Sequence, residues 1–325
     1  MPLLIMKDDG TLRARLQHIV EYLFVLALGY TLRLFPRGLR RELGELLGRV
    51  GYRLDRRHRM VTLNNLDLAF GDSKTEQEKV EIARATFEHF GSMLFELITW
   101  GKPSRKRFER EVEVVGGEHI EKAQAKGQGV ILVGSHYGNW EIAAISHGYR
   151  FGPCSVVGRA LDNPYFNRWL ERIRSTSGNG VVYKQQAVSR VVRLLKNKET
   201  VGLVVDQDVS QEDAVFVEFF GVKASTTPVA SLIGLKTGAV LVPIFSHPLD
   251  DGRYRCFYEK PLDPSDFAGI DRQQAVFQMT QHCARVLEEQ VRRNPQYWLW
   301  MHRRWKTRPS EELEGTELDS ATKSS

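Results

Sequence analysis

The element with the clearest chemical content is VGSHYGNWE, in which a histidine and a glutamate stand five positions apart. His136 follows VILVG, a short apolar run typical of a buried strand, and Glu141 falls where a helix through IAAI is predicted to begin. We expect the Glu141 carboxylate to fold back and hydrogen-bond the imidazole, fixing its tautomer and raising its basicity, as a general base requires. The alternative is a capping histidine and a surface glutamate, because HxxxxE also occurs by chance.

Other polar residues are predicted to share this site. Asp206 and Gln207 follow the apolar run VGLVV, and the carboxyl ends of parallel strands meet at one edge of a sheet. We therefore expect both side chains to line the same crevice as His136, with helix or turn capping as the alternative. Ser135 is a rival nucleophile, but neighbouring residues of a strand point to opposite faces and no GxSxG element is present.

No metal is expected at this site, because the spacing of His136, Glu141 and His147 matches no common zinc pattern. The three cysteines are scattered, which excludes both a zinc module and a disulfide scaffold.

The surrounding sequence predicts an α/β fold with a mostly parallel central sheet flanked by helices. After Lys102, the short β-rich runs VILVG, VGLVVD and AVLVPIF alternate with helix-like segments. YRCFYE predicts an added strand, and a long amphipathic helix is predicted over 271–293. The predicted organisation is an N-terminal membrane-associated helix (1–40), a helical leader (41–104), the α/β catalytic domain (105–309) and a disordered tail (310–325).

The first of these segments contains HIVEYLFVLALGYTLRLF, which is borderline for a membrane-spanning helix of about 20 apolar residues. Arginines flank it on both sides, so the positive-inside rule gives no orientation. A single spanning anchor, a helix lying in the membrane interface and a buried helix at the edge of the fold all remain open.

Composition limits the class of protein. With 42% hydrophobic and 26% charged residues the 325-residue chain is typical of a globular protein, and a mean hydropathy of −0.34 excludes a multi-span transporter. The net charge is +6, but five acidic residues against one lysine in the tail 310–325 leave about +10 for the rest of the chain. Nucleic acid, an anionic membrane surface and an acidic or phosphorylated substrate are all compatible with that charge.

The closing stretch YWLWMHRRWKTR interleaves tryptophans with cations, which favours a membrane interface or a phosphorylated glycolipid. No RNA-binding motif accompanies these residues, so a nucleic-acid partner is not expected.

These motifs together resemble the late acyltransferases of lipid A biosynthesis, within the lysophospholipid and glycerolipid acyltransferase superfamily. The resemblance covers roughly residues 15 to 309. It rests on HYGNWE, which matches the family's His-x4-Asp/Glu motif with Glu at the last position, and on GRALDNPYFNRWLERIR, VVDQD, VFVEFFGVKASTTP and YWLWMHRRWKTRP.

The resemblance implies direct transfer of a fatty acyl chain from acyl carrier protein to a hydroxyl of a lipid A precursor. His136 would be the general base and Glu141 its partner, while Arg159, Asp206 and Gln207 would bind substrate. The acyl thioester is the co-substrate and no cofactor is implied. The implied partners are acyl carrier protein, the glycolipid acceptor and the anionic inner-membrane surface at its cytoplasmic face. The alternative is another acceptor, such as a lysophospholipid, an ornithine lipid or a glycolipid, with an acyl carrier protein or coenzyme A donor.

Overall fold

The computed structural model describes residues 11–100, 103–183 and 187–309, so the tail 310–325, for which disorder is predicted, lies outside the described residues. Within these ranges the chain forms eleven α-helices and nine β-strands. The helices are α1 (Leu12–Leu32), α2 (Arg37–Leu54), α3 (Arg56–Phe70), α4 (Glu76–Thr99), α5 (Arg105–Glu111), α6 (Glu118–Ala125), α7 (Trp140–Phe151), α8 (Pro164–Ser175), α9 (Ala187–Lys196), α10 (Val229–Thr237) and α11 (Arg272–Arg293). The strands are β1 (Val112–Val115), β2 (Val130–Gly134), β3 (Cys154–Gly158), β4 (Gly180–Tyr183), β5 (Thr200–Val204), β6 (Val215–Phe219), β7 (Val222–Thr226), β8 (Val240–Pro248) and β9 (Tyr254–Tyr258).

Seven of the described strands form one sheet, in the order β1, β9, β8, β2, β5, β3, β4. The central strand β2 pairs in parallel with β5 and β8, and β3 pairs in parallel with β5 and β4. β9 runs antiparallel to β8 and pairs in parallel with β1 at the edge. This arrangement confirms the mostly parallel α/β sheet predicted from the sequence.

The strand β2 is apolar at nearly every position because both faces of the sheet are covered. Ile131 and Val133 pack into the hydrophobic cluster on one face, whereas Val130 and Leu132 pack into the cluster on the other. Each such side chain contributes about 1.5–3 kcal/mol through burial. The strand is therefore a rigid support for the loop that follows it.

A second, two-stranded sheet of β6 and β7 lies outside the main sheet. After α11 the chain turns back towards the loop that follows β2, where Leu299 N–H donates to the His136 carbonyl at 3.0 Å. Tyr137 and Trp298 form an isolated antiparallel bridge beside this bond. The closing segment of the chain is thus joined to the loop that carries the HYGNWE element.

The leader helices pack closely on each other. The clearest example is Gly48 of α2, where an added Cβ would lie 2.2 Å from the carbonyl oxygen of Phe87 in α4. A glycine is required there because the two helix backbones are nearly in contact. Helix α4 begins with the capping box formed by Thr75 and Glu78 and runs for 24 residues.

The predicted N-terminal helix is present as α1, and it carries apolar side chains on its outer surface. Leu12, Val20 and Phe24 are 74%, 65% and 67% exposed, whereas His18 is buried. No helix of the described residues combines the length and apolarity that crossing a membrane needs. In α1 the polar residues of its first half, including Glu21, lower the average hydropathy. The spanning anchor considered from the sequence is therefore unsupported.

Candidate active site

The loop after β2 is held in place by backbone hydrogen bonds to two other segments. Gly138 N–H donates to the Tyr297 carbonyl at 2.8 Å, and Asn139 N–H donates to the Ser246 carbonyl at 3.2 Å. Gly138 has φ +59°, and an added Cβ would lie 1.5 Å from the Ser246 oxygen, so only glycine fits. The Asn139 side chain accepts from Ile142 N–H at 3.2 Å and so caps the first turn of α7.

Asp206, and not Glu141, is the hydrogen-bond partner of His136. The imidazole Nδ1 lies 2.8 Å from Asp206 Oδ1, and the backbone N–H of His136 donates to Oδ2 of the same carboxylate at 2.8 Å. An ionised carboxylate only accepts hydrogen bonds, so Nδ1 carries the proton and Nε2 keeps its lone pair. The predicted hydrogen bond from His136 to Glu141 is wrong in this respect, although His136 does stand at the carboxyl end of its strand.

The register of the sheet explains this pairing. Gly134 at the end of β2 faces Val204 at the end of β5. His136 and Asp206 each lie two residues beyond this matched pair, so the two loops leave the sheet side by side. Glu141 instead lies in the first turn of α7.

The Asp206 carboxylate is fully enclosed and accepts a third hydrogen bond, from Trp298 Nε1 at 2.9 Å. Burial alone would raise the pKa of Asp206, but the charge and hydrogen bond of His136, with the Trp298 bond, hold that pKa well below its usual range. Burial opposes protonation of the imidazole, yet the Asp206 charge and hydrogen bond outweigh it, so the pKa of His136 is raised. These contacts orient the histidine and leave the carboxylate no access to a substrate.

Glu141 is held by an arginine that sequence reasoning missed. Arg174 of α8 binds it with two hydrogen bonds, from Nε to Oε2 at 2.8 Å and from Nη2 to Oε1 at 2.5 Å. Both side chains are largely buried. Arg174 lies within the GRALDNPYFNRWLERIR element. In the sequence it is a cation on a segment that resembles an ordinary surface helix, so its buried partner could not be recognised there.

His136 and Glu141 line one cavity of about 310 Å³. Its wall also contains Arg159 and Gln207, two residues predicted to bind substrate, whereas Asp206 lies behind the histidine and does not line it. The Arg159 side chain is 71% exposed and pairs with Asp162 at 2.6 Å. The His136 ring, 22% exposed, is therefore the imidazole whose free Nε2 a ligand in this cavity can reach.

The rival residues do not form a second catalytic group with His136. The buried hydroxyl of Ser135 has no hydrogen-bond partner among the described residues, so nothing activates it as a nucleophile. His147 is fully buried, lies 3.2 Å from the Tyr258 hydroxyl, and does not line the cavity. Burial lowers the pKa of His147 to about 3.

The closing stretch contradicts one prediction. Trp298, Trp300 and Trp305 are all buried in a core cluster, so they form no aromatic surface for a membrane. Arg304 is buried with them and donates to the carbonyl of Ser225. The aromatic residues are inside because they fill the space between the two sheets and α11, which alternating letters in a sequence do not reveal.

The leader helices contact the loop after β2 and the closing segment of the chain. His89 of α4 is buried with Nε2 at 3.3 Å from the Gly138 carbonyl, and burial lowers the pKa of His89 to about 4. Asn65 of α3 donates from its amide to the carbonyls of Trp300 and His302, at 2.7 and 2.6 Å. The loop and the closing segment that carries Trp298 are therefore both fixed by the leader.

Comparison with known proteins gives a consistent result. A family model for bacterial lipid A biosynthesis acyltransferases matches residues 11–307. The chain is 31% identical over 276 residues to a lipid A biosynthesis lauroyltransferase of Escherichia coli K12, covering 82% of this chain and 85% of that protein. It is 27% identical over 273 residues to a lipid A biosynthesis palmitoleoyltransferase of the same strain, with the same coverage.

A more distant similarity is to a phosphatidylinositol mannoside acyltransferase of Mycobacterium tuberculosis CDC 1551. That protein is 25% identical over 231 residues, which cover 68% of this chain and 69% of the relative.

Proposed function

Because the chain belongs to the bacterial lipid A biosynthesis acyltransferase family and is an O-acyltransferase, we propose that it adds a secondary acyl chain to a lipid A precursor. The acyl group would come from acyl carrier protein, and the acceptor would be a hydroxyl of the glycolipid. The observation that carries the proposal is the His136 imidazole, whose Nδ1–H donates to Asp206 and whose Nε2 is open to the cavity.

In this reaction the acceptor hydroxyl attacks the thioester carbonyl while His136 Nε2 takes its proton. The tetrahedral intermediate collapses by breaking the carbon–sulfur bond, and the imidazolium returns the proton to the departing thiolate. A positioned general base contributes about 10²–10⁴-fold to the rate. No acyl-enzyme is required, because the thioester is already an activated acyl donor.

Asp206 acts in this mechanism as a positioning residue. Its charge stabilises the imidazolium that forms as the proton moves, and its bond to Nδ1 keeps the lone pair at Nε2. This assignment replaces a substrate-binding role for Asp206.

Glu141 and Arg174 form the polar wall beside the histidine. Both line the same cavity as His136, and they form an ion pair with each other. The negative charge of Glu141 also contributes to the raised pKa of His136. We propose that Glu141 acts through this charge and through the shape of the wall.

Arg159 and Gln207 are proposed to contact substrate. Both line the cavity with their polar ends accessible, and a guanidinium suits a phosphate because it never deprotonates and offers two parallel donors. Because the Arg159 side chain is 71% exposed, its ion pair with Asp162 is solvated, and exchanging that pair for a phosphate costs little.

The proposed location is the cytoplasmic face of the inner membrane, with α1 lying in the interface. Its exposed side chains Leu16, Leu23 and Phe24 are apolar, and such residues are stabilised on leaving water. The charge of about +10 outside the tail favours encounter with an acidic carrier protein and an anionic lipid surface.

The test is transfer of a labelled acyl group from acyl carrier protein to a tetraacylated lipid A precursor by purified protein. We expect product with the wild type, a loss of at least 100-fold in His136→Ala and near-normal activity in His58→Ala, which removes an exposed histidine from α3. No product from the wild type, or undiminished activity in His136→Ala, would overturn the proposal.

A second acceptor class is favoured by one finding, the similarity to a phosphatidylinositol mannoside acyltransferase. The same assay with a mannosylated phosphatidylinositol, and with acyl-coenzyme A as donor, separates the candidates. Product with the mannolipid but not with the lipid A precursor would assign this chain to the alternative acceptor.

A further inference from the structure

An open groove outside the catalytic cavity lies between α3 and the closing segment of the chain. Its volume is about 430 Å³, and it is lined by three cations, two asparagines and four apolar residues. None of these described lining residues is acidic. The cations are Arg57, Arg303 and Lys306. The exposed apolar side chains are Met60 and Leu68, and Trp305 lines the groove although it is largely buried. We call this surface the α3 groove.

In the part of the chain that the structure describes, no acidic residue pairs with any of the three cations. Among the described residues, none of their side chains has an ion pair or a hydrogen bond, and all three residues are exposed. Like charges on one small surface repel one another, so an anion bound between them relieves that repulsion. The acidic residue of α3, Asp67, forms an ion pair with Lys79, whose Nζ lies 2.6 Å from Asp67 Oδ1.

The α3 side of the groove, which carries its exposed apolar residues, follows from helical spacing. Arg57, Met60, Val61, Asn64 and Leu68 recur at intervals of three and four residues and therefore share one face of α3. Met60 and Leu68 remain 45% and 43% exposed. A ligand that covers them gains apolar burial as well as charge pairing.

We propose that the α3 groove binds the phosphate headgroup of an anionic lipid, with the first part of the lipid tail on Met60 and Leu68. This site is separate from the acyl-transfer cavity, so the inference goes beyond the proposed function. The size of the groove argues for a single small amphiphile, since ligand sites hold about 300–1,000 Å³. A docked protein would need about 20–30 residues on each side.

The aromatic residue of the groove argues against nucleic acid. Trp305 is only 6% exposed, and its ring packs 5.8 Å from the Phe219 ring centroid. A base therefore has no free ring face on which to stack, which single-stranded nucleic acids generally use.

The test is binding of dihexanoyl phosphatidate to the full chain in neutral detergent, measured by calorimetry. The groove variant is Arg57→Gln/Arg303→Gln/Lys306→Gln, and a charge-matched control is Arg53→Gln/Arg56→Gln/Arg285→Gln, which removes three exposed arginines outside the groove. Each cation beside an anionic lipid contributes a factor of about five, so the groove variant should bind about 100-fold more weakly. The control should change affinity by less than about threefold.

Additional arms identify the ligand chemistry. Dihexanoyl phosphatidylcholine, which has no net charge, and inorganic phosphate, which has no tail, should each bind at least about tenfold more weakly than phosphatidate. Met60→Asn/Leu68→Asn should weaken phosphatidate binding and leave phosphate binding unchanged. His136→Ala should bind phosphatidate normally, so failure of the proposed acyl transfer would not affect this result.

Several outcomes overturn the proposal. Equal loss in the groove variant and its control would show a general effect of net charge, and equal affinity for phosphate and phosphatidate would show a free-phosphate site. Loss of acyl carrier protein binding in the groove variant, with phosphatidate binding intact, would identify the groove as a protein-docking surface. Thermal unfolding of each variant checks that the fold is retained.

Discussion

Replacing Asp206 with asparagine tests the central feature of the site. Asp206→Asn keeps the size of the side chain but removes the charge 2.8 Å from His136 Nδ1. Asp206 Oδ2 also accepts from the His136 backbone and from Trp298, and the single oxygen of an asparagine amide cannot occupy both the Oδ1 and the Oδ2 position. The variant therefore loses the charge and one acceptor position together.

The size of the effect follows from the ion pair formed during the reaction. With charge centres about 4 Å apart and an effective dielectric constant of about 20, Asp206 stabilises the imidazolium by about 4 kcal/mol. This corresponds to about 10³-fold in rate. We expect kcat to fall by 10²–10⁴-fold at pH 7.5, measured with saturating acyl donor.

The pH profile separates this role from a structural one. In the proposed mechanism His136 must be unprotonated to accept a proton, so activity should rise as the pH passes its pKa, which Asp206 raises. Removing the charge lowers that pKa, and the acid limb of the profile should move to lower pH in Asp206→Asn. Asp208→Asn is the control, because Asp208 also anchors the closing segment, through Thr307, without touching the imidazole.

Two results would refute the reasoning. If Asp206→Asn stays within about threefold of the wild type at pH 7.5, Asp206 does not stabilise the reacting histidine. If its activity falls but the acid limb is unmoved, or moves equally in Asp208→Asn, the loss comes from disturbed folding of the closing segment.

Three further predictions follow from the contacts of the site. Gly138→Ala should abolish transfer and lower Tm, because its Cβ would lie 1.5 Å from a β8 carbonyl, whereas Gly252→Ala, at φ +81° in open space, should cost about 1 kcal/mol and retain activity. Arg174→Met leaves Glu141 buried without its partner, so the free energy of unfolding measured in urea should fall by about 3–5 kcal/mol. Adding Glu141→Gln should restore part of that loss in the double variant, and strictly additive losses would contradict this. Burial lowers the pKa of His147 to about 3, so the unfolded chain binds this proton at a higher pH than the folded one, and stability should fall as the pH drops from about 6.5 towards 3. Between pH 7 and pH 4.5, His147→Gln should lose less Tm than the wild type does. An equal loss would contradict the lowered pKa of His147.

Much of the fold could be predicted because its strands are buried on both faces. The run VILVG forms β2 over Val130–Gly134, and the long amphipathic segment forms α11 over Arg272–Arg293. The prediction for VGLVVD was less accurate, since β5 ends at Val204. Asp206 lies two residues beyond this strand, and its carboxylate accepts from the backbone N–H of His136 in the loop after β2.

The closing segment shows that composition alone does not predict which side chains are buried. Tryptophans among cations are typical both of membrane interfaces and of a polar segment folded over a core. Here the rings of Trp298, Trp300 and Trp305 point inwards, and Arg303 and Lys306 remain outside. Which side of the segment faces the protein depends on β6, β7 and α11, and no local pattern in the segment encodes that contact.

The histidine itself was predictable, but its partner was not. A spacing of five residues suggests that Glu141 contacts His136, whereas Asp206 is 70 residues away in the chain. In a parallel sheet, however, equal distances beyond paired strand ends bring residues together, and Gly134 pairs with Val204. Once the β2–β5 register is known, Asp206 follows as the partner of His136, and Glu141 becomes available to Arg174. Partner assignment at the edge of a parallel sheet therefore depends on strand order and register, so a motif that names two residues five apart can locate the histidine and still misassign the carboxylate that binds it.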